Sequence, residues 1–210
     1  MKIGIIGSGN IGGNLGLLMA RAGHEITFSS RNPEKLKNLV DKAGERTCNG
    51  SVAEAAEFGE VIILSVPFSA IEGIANEISD MVKDKIIIDT CNPYPQRDGD
   101  VAIKVRNDEN MRESQYTVDR FPQSTIIKAF NTIYFEHLRD YAFRSGNERL
   151  GLPLAGDDPS TKQKVMKLIE SIGFTPVDIG SIKDSVPMEV DQSLYGKLIN
   201  PEEIQDIVAK

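Results

Sequence analysis

The 210-residue chain is long enough to bury a full core as one large domain, or as a domain with a small appendage. Its net charge of −7 argues against a nucleic-acid surface and against adhesion to anionic lipid, and its apolar runs are too short for a membrane span or a signal peptide. Cys48 and Cys91 form neither a disulfide framework nor a metal spacing, so a reducing, cytoplasmic setting without a metal site is expected.

The chain opens on a strand, Lys2 to Ile6, that runs straight into Gly7, Ser8, Gly9, Asn10, Ile11 and Gly12. An amphipathic helix follows, with Ile11, Leu15, Leu18, Met19 and Ala22 at helical spacing. Between a strand and a helix this glycine spacing reads as a dinucleotide fingerprint. Gly7 permits the tight turn, Gly9 lets the backbone approach a pyrophosphate, and Gly12 allows close helix–strand packing. The first N–H groups of the helix then point at the phosphates. Gly12, Gly13 and Gly16 each cost the helix about 1 kcal/mol relative to Ala; a dinucleotide held against the sheet supplies a reason for them.

The second strand, Glu25 to Phe28, empties into Ser29, Ser30, Arg31, Asn32 and Pro33. An NAD enzyme places a carboxylate there to hold the ribose 2′-hydroxyl, but 22 residues after Gly7 this chain has Ser29. A carboxylate would repel a 2′-phosphate, whereas two hydroxyls and the Arg31 guanidinium would hold it. The pattern is that of an NADP(H) binder. Asn32 and Pro33 start a helix carrying Leu36, Leu39 and Val40. Lys35 falls near its third position, where a cation opposes the helix dipole at a cost that a bound phosphate would offset.

Continuous apolar runs then recur at Val61–Val66, Ile86–Ile88, Thr125–Ala129 and Leu150–Ala155, the mark of strands covered on both faces. Helices open at Ser51 and at Asp158-Pro159, the latter with Val165, Met166, Leu168 and Ile169 on its buried side. This alternation predicts an α/β fold, a doubly wound, mostly parallel sheet of the Rossmann type over residues 1–180. Residues 181–210 form a short C-terminal extension packing on the same domain, with one helix from Pro201 to Ala209. The charged stretch 94–112 breaks the pattern and reads as a solvated loop, or a mobile flap, at the ligand-binding edge of the sheet. His24 reads as a helix-end residue, His137 as a helix-surface residue, Asp158 as a cap and Cys91 as a small core residue.

Together, Gly7–Gly12, Ser29–Lys35, Ser65-Val66-Pro67, Lys128-Ala129-Phe130-Asn131 and Ala155–Asp158 resemble the NADPH-dependent reductases of the deazaflavin coenzyme F420. The wider family includes the cytoplasmic domain of mammalian metalloreductases, and the resemblance runs from Met1 to about Ile179. It implies that Ser8, Asn10 and Ile11 line the pyrophosphate loop with backbone groups, and that Ser30, Arg31 and Lys35 hold the 2′-phosphate. Ser65, Val66 and Pro67 would wall the ribose and nicotinamide. Ala129, Phe130 and Asn131 would flank the nicotinamide where a second ring stacks, and Cys91, Asn92 and Pro93 would touch the deazaflavin. The implied activity is hydride transfer between NADP(H) and a deazaflavin or flavin-like small molecule, in a homodimer. Such a transfer needs two rings positioned about 3–3.5 Å apart rather than a protein acid or nucleophile. An NADPH:flavin or ferric reductase, and a non-catalytic NADPH-binding redox sensor, are the alternatives.

Overall fold

The computed structural model describes residues 1–108 and 111–209; Glu109 and Asn110, in the charged stretch, and Lys210 lie outside the described residues. From the N-terminus, β1 (Lys2–Ile6) feeds α1 (Asn10–Arg21), and β2 (Glu25–Ser29) leads through a 3-10 turn at Pro33–Leu36 into α2 (Lys37–Ala43). Next come β3 (Thr47–Gly50), α3 (Val52–Phe58), β4 (Val61–Leu64), α4 (Ile71–Ile78) and β5 (Ile86–Asp89). Three helices, α5 (Pro95–Asp98), α6 (Asp100–Asn107) and α7 (Glu113–Arg120), precede β6 (Thr125–Ala129). After α8 (Phe135–Asp140) the chain continues through β7 (Gly151–Gly156), α9 (Pro159–Ser171), β8 (Thr175–Asp178), a 3-10 segment at Ile182–Met188 and α10 (Pro201–Val208).

The eight strands form one sheet in the order β3-β2-β1-β4-β5-β6-β7-β8. β1 to β6 pair in parallel, β7 runs antiparallel to β6, and β8 is parallel to β7. This is the expected doubly wound, mostly parallel sheet. Every residue of β4, β5 and β7 is buried, which explains their unbroken hydrophobicity. Ile3, Ile5, Ile63 and Ile88 face one layer with Leu15 and Met19 of α1 and Val165 and Leu168 of α9. Ile62, Leu64 and Ile87 face the other with Ala55 of α3, Ile71 and Ala75 of α4 and Tyr116 of α7. Strand order reverses between β1 and β4, and a ligand crevice opens beyond the strand ends at such a point.

Several elements differ from the sequence expectation. The stretch from Pro95 to Asn107 is helical rather than a solvated loop, turning at Gly99, whose φ is +62°. Asp98 anchors it: the carboxylate is buried and accepts from the Ser69 and Tyr94 backbone N–H groups at 3.2 and 3.0 Å. The helix expected from Pro33 starts instead as a 3-10 turn, and Asn32 makes no side-chain cap. By contrast Ser51 and Asp158 cap their helices as expected, accepting from Glu54 N and Thr161 N. The helix glycines also have separate reasons. A Cβ on Gly16 would lie 2.1 Å from the Phe28 ring, so Gly16 serves helix–sheet packing and not a ligand. In the extension, Met188, Leu194 and Ile204 join Ala155 and Val177 in a third apolar cluster.

Candidate functional site

The loop after β1 is shaped by contacts that leave no room for side chains. Gly7 has φ +92°, and a Cβ there would sit 2.3 Å from the Ser65 carbonyl oxygen; one on Gly12 would sit 2.1 Å from the Gly7 carbonyl oxygen. Above Gly9 the situation reverses, with nothing within 4 Å of a Cβ. The unfilled space lies at the start of α1, where orphan N–H groups collect and the first turn carries no acidic residue. A cavity of about 500 Å³ covers the loop, lined also by Ser30, Arg31, Ser65, Val66 and Pro67. Its apolar wall of Val52, Ala70 and Ile74, which sequence reasoning missed, suits a flat base. Loop, helix start and apolar wall together fit a dinucleotide.

The residues expected around the 2′-phosphate are not all brought together. Ser29 is fully buried and its hydroxyl donates to the Ile5 carbonyl at 2.8 Å, so it holds β2 to β1 and cannot face a ligand. Its own carbonyl receives both the backbone N–H and the hydroxyl of Ser8, at 3.1 and 3.0 Å, tying the glycine loop to the end of β2. Ser30 and Arg31 do line the cavity, with the Ser30 Oγ accepting from Asn32 N at 3.1 Å. Lys35 is exposed in the 3-10 turn and is not among the lining residues.

Ser65, Val66 and Pro67 continue into a second cavity of about 310 Å³, bounded by Gly9, Asn10, Ile11, Thr90, Cys91 and Asn92. Asn10, Ile11, Thr90 and Asn92 are shared in turn with a third of about 220 Å³, lined by Phe130, Asn131 and Thr132. The three form one groove along the C-terminal ends of the central strands. Tyr94 and Arg97 on the second cavity, and Tyr94, Tyr134 and Tyr195 on the third, were not singled out from sequence. Tyr94 and Arg97 follow β5 directly, a signal that could have been used; Tyr195 comes from the far end of the chain and had none.

Buried charge sets the third cavity. Lys128 of β6 faces Asp89 of β5 at 3.3 Å and donates to the Cys91 carbonyl, both side chains being essentially inaccessible. Asp89 accepts from Cys91 N at 2.8 Å and from the Thr117 hydroxyl at 3.0 Å. This fixes the chain leaving β5 and so presents Asn92. Asn92 Nδ2 donates to the Asn131 carbonyl at 2.9 Å, and Asn131 Nδ2 donates back to Asn92 Oδ1 at 3.0 Å and to the Met188 carbonyl at 2.8 Å. Phe130 takes φ +63°, rare for a bulky residue, as the chain leaves β6 into this cavity. Ala129 does not join it; its side chain lies in the core between sheet and helices. Pro93 is buried and lines none of the three cavities. Burial pushes the Cys91 thiol up, keeping it unreactive as expected of a core residue. His24 lies 3.3 Å from the Met1 amine, and burial, then that positive charge, hold its pKa below the usual histidine value. Among the described residues no group of three or more His, Cys, Asp or Glu is placed to hold a metal, and no helix is long and apolar enough to cross a membrane.

Residues 2–93 match the family model described as NADP oxidoreductase coenzyme F420-dependent. Over 90% of its length the chain is 27% identical to rat metalloreductase STEAP3 (Rattus norvegicus), of which it spans 36%. Over the same share it is 28% identical to the F420-dependent NADP reductase of Methanothermobacter marburgensis, of which it spans 88%. Among solved structures, the hypothetical protein SMa0349 of Sinorhizobium meliloti superposes with a TM-score of 0.81 at 26% identity, covering 95% of both chains. The glycine loop, the Ser30–Arg31 turn and Ser65–Pro67 at the strand-order reversal all fall within residues 2–93, the segment similar to the coenzyme F420-dependent NADP oxidoreductase model, and the likeness to the Methanothermobacter marburgensis NADP reductase extends over most of the chain.

Proposed function

We propose that the protein binds NADPH along the groove and passes hydride to a deazaflavin (coenzyme F420) or flavin-like ring at the Phe130–Asn131 end. The observation that carries this reading is the continuity of the three cavities. Gly9 lines both the phosphate-loop cavity and the second cavity, and Asn10 and Ile11 line both the second cavity and the chamber of Phe130, Asn131 and three tyrosines, so the start of α1 runs along all three. When bound, NADPH would supply the hydride. The protein would contribute alignment and exclusion of water, with Gly7, Ser8, Gly9 and Asn10 at the pyrophosphate, Ser30 and Arg31 at the 2′-phosphate, and Ser65, Val66 and Pro67 along the ribose. Asn92, Phe130 and Asn131 would meet the rings.

The likeness to an F420-dependent NADP reductase over most of both chains supports the deazaflavin; that to STEAP3 supports an NADPH:flavin or ferric reductase as the second reading. The two free cysteines support a reducing, cytoplasmic setting. A homodimer completes the proposal and is checked by the mass in solution. The test of function is NADPH oxidation followed at 340 nm with F420, FMN, FAD and ferric chelate offered in parallel. Turnover with F420 alone is the expected outcome, and turnover with flavin or iron only would transfer the protein to the second reading. Tight NADPH binding with no turnover on any acceptor would make it a redox sensor instead.

A further inference from the structure

The third cavity holds a pair of hydroxyls that the alignment of two rings leaves unused. Tyr94, half-buried just past β5, meets Tyr195 of the C-terminal extension hydroxyl to hydroxyl, and both line the chamber with Asn92 and Asn131. Each tyrosine is held from behind. Tyr94 is clamped by its N–H to Asp98 and by the Arg97 guanidinium stacked 4.8 Å from its ring. Tyr195 sits between Leu194, buried in the third apolar cluster, and Gly196, whose N–H donates to the Thr132 carbonyl at 2.8 Å.

Counting hydrogens shows what the pair has left over. Two hydroxyls carry two hydrogens, and their mutual contact uses one of them. Asn92 Nδ2 donates to the Tyr94 oxygen at 3.3 Å, so that contact consumes an acceptor site and no hydroxyl hydrogen. If Tyr94 donates to Tyr195, the Tyr195 hydrogen is unspent; if Tyr195 donates, the Tyr94 hydrogen is. Either way one O–H remains for whatever occupies the chamber. Burial, then the hydrogen bond to Tyr94, push the Tyr195 hydroxyl above its ordinary pKa and keep it protonated well past neutrality.

We propose that this tyrosine pair is the hydrogen-bond donor to the acceptor ring, stabilising the negative charge that the ring gains on reduction; the proposal rests on the reading of a flavin-like acceptor. Hydride brings an electron pair and a hydrogen to the ring, and the donor's dihydropyridine is left as the oxidised pyridinium. The extra charge spreads to a ring nitrogen and carbonyl oxygen, and the spare O–H donates to that edge. No proton leaves the tyrosine; solvent water supplies the one that completes the reduced ring. A donor fixed before charge develops stabilises it without reorganisation.

Because either hydroxyl can serve, the pair predicts a signature that packing alone would not produce. Tyr94→Phe and Tyr195→Phe keep both rings and leave one free O–H each, so each should lower kcat only about threefold to tenfold. The double variant has none and should lose about 100-fold or more, beyond the product of the singles. Its NADPH Kd should stay within about twofold of the parent protein. A second measurement needs no NADPH: titrating oxidised and reduced F420 or FMN into each protein. The parent should favour the reduced ring, and that preference should fall modestly in each single variant and vanish in the double. Multiplicative losses, or an unchanged preference for the reduced ring, would overturn the proposal. Failure of the parent protein to oxidise NADPH with, or to bind, either ring would instead overturn the acceptor reading on which it rests.

Discussion

At the Gly7 end, the floor of the groove is backbone from one short segment, and its shape is fixed by the absence of side chains at Gly7, Gly9 and Gly12. At the Tyr195 end, beyond Asn10 and Ile11, it is made of side chains from three distant segments, Thr90–Tyr94, Phe130–Phe135 and Tyr195, the first two joined by reciprocal hydrogen bonds between Asn92 and Asn131, which also holds the Met188 carbonyl. A phosphate offers the same charge to any protein, so a helix start and a positive φ suffice to hold it. A ring has edges with their own donors and acceptors, and only side chains aimed by other side chains can match them. The two ends should therefore respond to mutation in different ways.

The largest effect is expected where backbone meets backbone. Gly12→Ala puts a methyl group 2.1 Å from the Gly7 carbonyl, an overlap that no rotamer relieves. It should cost about 3 kcal/mol of stability and abolish NADPH binding, read from the thermal melt and from fluorescence titration. Gly9→Val separates the two effects. Its Cβ meets no protein atom, so the melt should move by no more than about 1 kcal/mol, the scale of a lost cap residue. NADPH should bind at least about 100-fold more weakly, near 3 kcal/mol, because the valine stands where phosphate must approach. A Gly9→Val protein that binds normally would remove the loop from the site. Arg31→Ala comes next, with NADPH weakened about tenfold to 100-fold and NADH less than about twofold, since the guanidinium has only the 2′-phosphate to answer. Equal losses for both dinucleotides would take Arg31 out of that role.

The same contrast explains which features could be read from the chain. The glycine loop, the Ser30–Arg31 turn and Ser65–Pro67 are contiguous strings beside strong strand signals, and the structure gathers them on one cavity. Two strands escaped notice because their sequences are weak: β3 is Thr-Cys-Asn-Gly at the sheet edge, and β8 contains Pro176. Both are held by pairing with a stronger neighbour rather than by their own propensity. The helices between Pro95 and Asn107 were hidden by charge, because the residue that fixes them is Asp98, a buried carboxylate satisfied by a chain 29 residues away. Ser29 misled for the opposite reason. Its position along the strand is that of a ligand residue, but its hydroxyl turns inward to Ile5. No local pattern could have joined Tyr94 to a tyrosine 101 residues later.

Beneath the ring end lies one more buried carboxylate, and it distinguishes the two ends by pH. Glu113 is 3% exposed, and its Oε2 has no partner among the described residues. Burial pushes its pKa up to about 7 from 4.5, against the pull of Lys128 and with the repulsion of Glu189, while the Val190 N–H and Arg106 draw it back. The folded protein therefore binds more protons than the unfolded chain between those values, and stability must fall as pH rises through that window. At 1.36 kcal/mol per unit the full penalty above pH 7 is at most about 3 kcal/mol, less whatever relaxation relieves. Glu113→Gln is the same size, still accepts from Val190 and cannot ionise. It should melt higher than the parent at pH 8, and the gap should close as the pH approaches 4.5. NADPH affinity should not follow, because the phosphate end makes no contact with Glu113. A parent and variant that melt together at pH 8 would mean that the carboxylate ionises in place without cost, and that the extension carrying Glu189 and Tyr195 is held on α7 independently of this charge.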